Sequence, residues 1–349
     1  MFVSAALFAL AATLAFWLMF GQKHTVFLGT NGRVNYTAEE KYWEGHVPKV
    51  GQQVAHEELA RAVANLDQAN QHLAAHAFGA ALWNTTGIHG AGTCDQRFSS
   101  GCTHSYIAAA IAQLGLTDGI RFVGRFCMEK AEGVRPETSC QHGIGHGLVG
   151  YLGYELPNLT EALSICDGLP HKASLTMGCW GGVLMEYNFR GHIQDVRPLT
   201  TASRFEPCFS LPEQQQSSCL FWQPLWWYVE TYPESSAMET FAQMGSYCTS
   251  PLLKKGLSGA CLAGIGFMAP GRVEMNPKLT AQACVEATHT GADRISCWSG
   301  AAVQLAIDAR DRARAFVCEG LADGDLQYCQ EHINDIANLF SEHGQSMFP

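Results

Sequence analysis

Five histidines stand at spacings that suit bound metal. Gln71-His72-Leu73-Ala74-Ala75-His76 and Gln141-His142-Gly143-Ile144-Gly145-His146 share the order Q-H-x-x-x-H. Between them, Cys102-Thr103-His104 repeats the Cys-x-His start of Cys140-Gln141-His142. Histidines at i and i+4 lie one turn apart on one helix face, a spacing that chelates a single ion. His72, His76, His104, His142 and His146 are therefore the candidate ligands. The divalent transition metals that imidazole accepts, with Zn, Fe, Mn or Cu in view, are the expected cofactor. Glu186, seven positions after Cys179, falls near the slot that His146 occupies six after Cys140, and is the candidate carboxylate, as ligand or as base. A ligand set with an open coordination position activates water or oxygen. The pattern lacks the glutamate of H-E-x-x-H, so a zincin mechanism is unsupported. The competing reading is that these imidazoles cap helices and bond neighbouring carbonyls.

Gly143, Gly145 and Gly147 interleave with the second histidine pair. Each costs about 1 kcal/mol relative to alanine inside a helix. Close helix–helix approach, or backbone that must come near a ligand, would offset that cost. The elements that carry the histidines are marked by cysteines. The chain holds 14 of them. They fall into the pairs Cys94/Cys102, Cys127/Cys140, Cys166/Cys179, Cys208/Cys219, Cys248/Cys261, Cys284/Cys297 and Cys318/Cys329. The second members recur every 32 to 42 positions, a period typical of stacked two-helix units. Each unit reads as an amphipathic helix ending near one cysteine, a loop, and a Gly-rich apolar helix starting near the next. The expected fold class is all-α: repeated helical hairpins, as an α/α toroid or solenoid, stapled by disulfides. Disulfides need Cα atoms about 4.4–6.8 Å apart, which a helical corner supplies. Thiolate metal binding is the competing reading, but no C-x-x-C occurs in the sequence and the spacing is wrong for a zinc knuckle.

Paired cysteines place the main domain in an oxidising space, periplasmic or extracellular. Phe2 to Phe20 carries no charged side chain; as a helix it would be roughly 30 Å long, matching a bilayer core. Residues 1–22 are therefore expected to be an uncleaved single-pass transmembrane helix, with a removed signal peptide as the alternative. Lys23, Arg33 and Lys41 follow the segment and favour a cytoplasmic placement of that side; the cysteines argue the opposite and carry more weight. Residues 23–49, with Gly29, Gly32 and Pro48, read as an extended tether, and 50–349 as one helical-repeat domain. The expected partner is the membrane, through that helix, and the expected function is that of an extracytoplasmic metal-binding protein, with a metalloenzyme in view; the alternative is a non-catalytic accessory subunit of a membrane protein complex. A net charge of -10 and the lack of a basic stripe exclude a nucleic-acid partner. Phe221 to Tyr228 is dense in aromatic residues and reads first as core.

The motifs Gln71 to Gly79, Gly101 to His104, Cys140 to Gly147 (C-x-H-G-x-G-H-G) and Gly182 to Glu186 resemble a set of exported bacterial Cys- and His-rich helical-repeat proteins, a resemblance over roughly residues 70 to 190 that supplies no activity. More loosely, the chain is similar to the lanthionine cyclase-like α/α toroids, whose inner helices also begin with glycine-rich turns. Those enzymes hold zinc with free thiolates, whereas these cysteines pair, so the resemblance implies a toroid and no cyclase activity.

Overall fold

The computed structural model describes residues 24–29, 32–95, 97–130, 136–169, 178–189, 197–231 and 235–308, with 324, 326, 327 and 331 beyond them. The anchor expected at 1–22 lies outside the described residues; among the described ones, no helix is long and apolar enough to cross a membrane. Thirteen α-helices and no strand are present among them, apart from one isolated bridge between Leu28 and Val34. In order they are α1 (Tyr36–Val50), α2 (Gln52–Val63), α3 (Gln68–Thr86), α4 (Gly101–Leu114), α5 (Leu116–Lys130), α6 (Pro136–Leu152) and α7 (Leu156–Asp167). There follow α8 (Gly178–Phe189), α9 (Glu213–Thr231), α10 (Ala237–Cys248), α11 (Lys255–Arg272), α12 (Pro277–Ala287) and α13 (Gly291–Asp308).

The beginnings of several helices follow from local chemistry. Asn35, Asp67 and Asn276 each accept a hydrogen bond from a first-turn backbone N–H of α1, α3 and α12, and Ser236 forms a capping box with Glu239 at α10. The first of these caps corrects the sequence reading. Residues 36–50 are not extended tether but helix, because Glu39, Trp43 and Val47 recur every fourth position and bury one stripe against α3. Pro48 breaks the pattern to the eye, yet sits in the last turn, where the helix ends anyway.

Buried and flanking helices alternate. The buried set α3, α4, α6, α8, α9, α11 and α13 packs each member on the next in that order, while α5, α7, α10 and α12 lie against the corners. α4 is shared by two parts of the core: Tyr106 and Ala110 pack with α1 to α3, and Ile107 and Ile111 with α6 and the helices after it. α3 also touches α11, and the turn Phe98–Ser100 touches α13.

Five of the expected cysteine pairs are bonded, Cys94–Cys102, Cys166–Cys179, Cys208–Cys219, Cys248–Cys261 and Cys284–Cys297. Cys140 is disulfide-bonded too, while the Cys127 side chain and the Cys318/Cys329 pair lie outside the described residues. Three of the bonds, Cys166–Cys179, Cys248–Cys261 and Cys284–Cys297, sit where a flanking helix turns into a buried one, with Cys166 near the end of α7 and Cys179 at the start of α8. Beyond those corners the buried helices touch backbone to backbone. A Cβ on Gly145 of α6 would stand 2.3 Å from the Cys179 carbonyl oxygen, and one on Gly182 of α8 would stand 1.9 Å from that of His142. Gly266 and Gly300 make the same reciprocal contact between α11 and α13. Only residues without a side chain permit this approach, which accounts for glycines that a helix otherwise disfavours. The aromatic run is core, with Trp222, Trp226, Trp227 and Tyr228 all buried.

Candidate metal centre

α3, α4 and α6 are consecutive neighbours, and each turns its histidines toward the same buried space. His72 and His76 come from α3, His104 from α4, His142 and His146 from α6. All five are buried. The His104 ring centroid stands 6.0 and 5.9 Å from those of His72 and His76, and 5.0 and 4.9 Å from those of His142 and His146. Two groups have one ligand atom per residue, all within 4.8 Å of one another: His72, His76 and His104, and His104, His142 and His146. The structure thus brings together all five histidines singled out in the sequence.

What lies behind the rings decides which nitrogen faces inward. His72 Nδ1 stands 2.7 Å from the Phe98 carbonyl, so this nitrogen donates and Nε2 keeps its lone pair. His76 Nδ1 is 2.8 Å from Ser105 Oγ, and Ser105 in turn shares a hydrogen bond with the Tyr36 hydroxyl. The two inward Nε2 atoms, of His72 and His76, are 3.0 Å apart. Two nitrogens bound at about 2.0–2.1 Å to one tetrahedral ion stand roughly 3.3 Å apart, close to this separation. An N–H···N hydrogen bond fits it as well, so this pair alone does not discriminate.

In the second triad no such bond is present among the described residues. His146 Nδ1 donates to Glu186 Oε2 at 2.8 Å, and the Tyr154 hydroxyl donates to the other carboxylate oxygen. His146 Nε2 is left buried with no hydrogen-bond partner among the described residues; so are His142 Nδ1 and both ring nitrogens of His104. Leaving a buried polar atom unsatisfied costs about 1–3 kcal/mol, and four such atoms are gathered here on adjacent rings. Burial, reinforced by the surrounding imidazoles, holds the protonation equilibria of His104 and His142 well below the usual imidazole range. Both rings are therefore neutral, the form that binds metal.

Glu186, expected as ligand or base, stands behind His146 with both oxygens engaged, and neither triad includes a carboxylate. A carboxylate on the far nitrogen of a histidine fixes its tautomer and raises its basicity, the usual outer partner of a metal-bound imidazole. Ser105, Tyr154 and the Phe98 carbonyl were not singled out in the sequence. Ser105 follows His104 directly and was open to notice; the other two have no local signal. The Phe98 carbonyl is presented by an unusual turn in which Phe98, Ser99 and Ser100 all have positive φ, at 58°, 52° and 60°. Such backbone costs of order 1–3 kcal/mol per residue and concentrates at functional sites. Gly101 follows, and a Cβ there would stand 2.7 Å from the His72 carbonyl oxygen and 2.9 Å from His72 Nδ1, so the close seat of α4 on the α3 histidines also depends on a missing side chain.

No family model, curated protein or solved structure matches this chain.

Proposed function

We propose that the protein is a metal-binding helical-repeat protein whose buried five-histidine cluster holds transition-metal ions. The observation that carries this reading is the set of four buried nitrogens on His104, His142 and His146 with no partner among the described residues, backed by outer partners on His72, His76 and His146. An all-imidazole set suits Zn, Cu, Fe or Ni and disfavours Mg and Ca, which prefer oxygen. Glu186 acts as a positioning residue for His146, not as a general base.

The buried helices form a closed α/α ring around the cluster, a reading supported by the contact of α3 with α11 and of the Phe98–Ser100 turn with α13. The domain resides outside the cytoplasm, anchored through residues 1–22; the bonded cysteine pairs support an oxidising compartment.

Elemental analysis of the full chain, purified without added metal and again after Zn(II) loading and desalting, tests the proposal. Retained zinc that falls in His142→Ala/His146→Ala supports it. A ligand present at 100 times its Kd stabilises a fold by about 2.7 kcal/mol, so loading also raises the Tm. No retained metal and an unchanged Tm overturn the reading.

A further inference from the structure

The two triads have one member in common. His72, His76 and His104 form the first, and His104, His142 and His146 the second; the five do not gather into a single set within the same distance. Among these five, His104 is also the one for which neither ring nitrogen has a hydrogen-bond partner among the described residues. The other four each have one nitrogen engaged from behind or beside: His72 by the Phe98 carbonyl, His76 by Ser105, His142 by the backbone at Gly178, and His146 by Glu186. For His72 and His76 the remaining Nε2 atoms meet each other at 3.0 Å, a contact that an ion between them would replace; among the described residues His142 and His146 each keep one unpartnered nitrogen and His104 keeps two.

The helices repeat this arithmetic. α3 and α6 each carry an i, i+4 pair, and α4, packed between them, carries a single histidine. We infer that His104 bridges two transition-metal ions, one held with His72 and His76 and the other with His142 and His146. Each ion then receives three imidazole nitrogens from the protein, which leaves a further coordination position on each.

The inference rests on the metal-binding reading and adds stoichiometry and electronic coupling to it. A neutral imidazole offers one lone pair, which the first ion takes. The bond to the second ion forms at the remaining nitrogen as its proton leaves to water. One proton is released for each bridge formed, and the ring becomes an imidazolate whose negative charge lies between two dications. That charge reduces the repulsion that otherwise opposes placing two dications in one buried space. No oxidant or reductant enters the step.

The full chain, stripped of metal and titrated with Cu(II) chloride or Zn(II) sulfate alone, gives the test. Two ions per chain are expected from elemental analysis. An imidazolate-bridged Cu(II) pair is exchange-coupled, so its integrated electron paramagnetic resonance signal at low temperature should fall well below two spins per chain and show a half-field transition. His104→Ala, checked for folding by circular dichroism, should abolish the coupling and lower the stoichiometry below two. Should that variant fail to fold, the stoichiometry and spin count of the parent protein decide by themselves. One ion per chain, or two Cu(II) ions with a full two-spin signal, overturns the bridge and leaves the metal-binding reading standing. No bound ion overturns both.

Discussion

Glu186 Oε2 and His146 Nδ1 face each other at 2.8 Å across the contact of α8 with α6. The carboxylate thereby fixes the proton on Nδ1 and turns the Nε2 lone pair toward His104 and His142. Outer partners of this kind are worth roughly 10–100-fold in metal affinity. Glu186→Ala is expected to weaken binding by about that factor, measured by competition with a chromophoric chelator. Glu186→Gln keeps an oxygen that accepts from His146 and should fall between Ala and the parent. An Ala variant that binds as tightly as the parent would remove Glu186 from the site.

The glycine contacts predict opposite outcomes for the same chemical change. At Gly182 an added Cβ would stand 1.9 Å from the His142 carbonyl oxygen, whereas at Gly150, in the same class of helix, nothing lies within 4 Å. Overpacking against backbone costs about 1–3 kcal/mol, while relief of glycine's helix cost gains roughly 0.5–1 kcal/mol. Gly182→Ala should therefore lower the denaturation midpoint and loosen metal, because it displaces the turn that carries His142. Gly150→Ala should raise the midpoint and leave the metal untouched. Equal effects from the two would mean that α6 and α8 do not touch as described.

The cysteine beat and the histidine slots were legible because both are sequence periodicities that the helical hairpin converts directly into space. Cys166 and Cys179, 13 residues apart, meet at one corner, and His104 and His142 share a slot two residues after their cysteines. Gly143, Gly145 and Gly147 were legible as costly residues that close packing must offset, and Ile107, Cys179 and Ile111 are what they pack against. Partnerships between distant helices left no such trace. Tyr154 meets Glu186 only because α6 ends where α8 passes, and nothing around Tyr154 announces it. The α1 helix was missed for a different reason. Its buried stripe of Glu39, Trp43 and Val47 mixes an acid with two apolar residues. Glu39 is tolerated there because it accepts from the Phe27 N–H and the Trp43 indole.

The disulfides make a prediction that separates stability from site geometry. Closing a loop of the 13-residue separation at Cys166–Cys179 removes about 3 kcal/mol of chain entropy from the unfolded state. The double variant Cys166→Ser/Cys179→Ser should lose roughly that much in denaturant titrations. Because Cys179 O abuts Gly145, one residue from His146, metal affinity should fall as well. The Cys284→Ser/Cys297→Ser pair, which joins α12 to α13, helices that carry none of the five histidines, should cost similar stability and spare the metal. Comparable metal loss in both variants would show that the site responds to global loosening and not to its own corner.

His56, outside the cluster, ties stability to pH. His56 is buried, and its Nδ1 accepts from the Arg97 guanidinium at 3.1 Å. Arg97 is itself tied to Glu57 and Asp95. A ring that accepts from a guanidinium at Nδ1 must be neutral there, since protonating it would set two donors against each other. Burial is the main cause that lowers the His56 protonation equilibrium; Arg97 adds to it, while Asp95 and Glu57 pull the other way. In the unfolded chain this histidine takes up its proton near pH 6.5. Below that pH the unfolded state binds more protons than the folded one, so stability falls as pH drops through 6.5 toward the lower folded value. His56→Gln retains an oxygen that accepts from Arg97 and removes the titration. Measured on metal-free protein between pH 7.5 and pH 5.5, the variant's Tm should decline less steeply than the parent's. Parallel curves for the two would show that His56 takes up its proton as readily in the fold as in the unfolded chain, and that the Arg97 bond to its Nδ1 is not made.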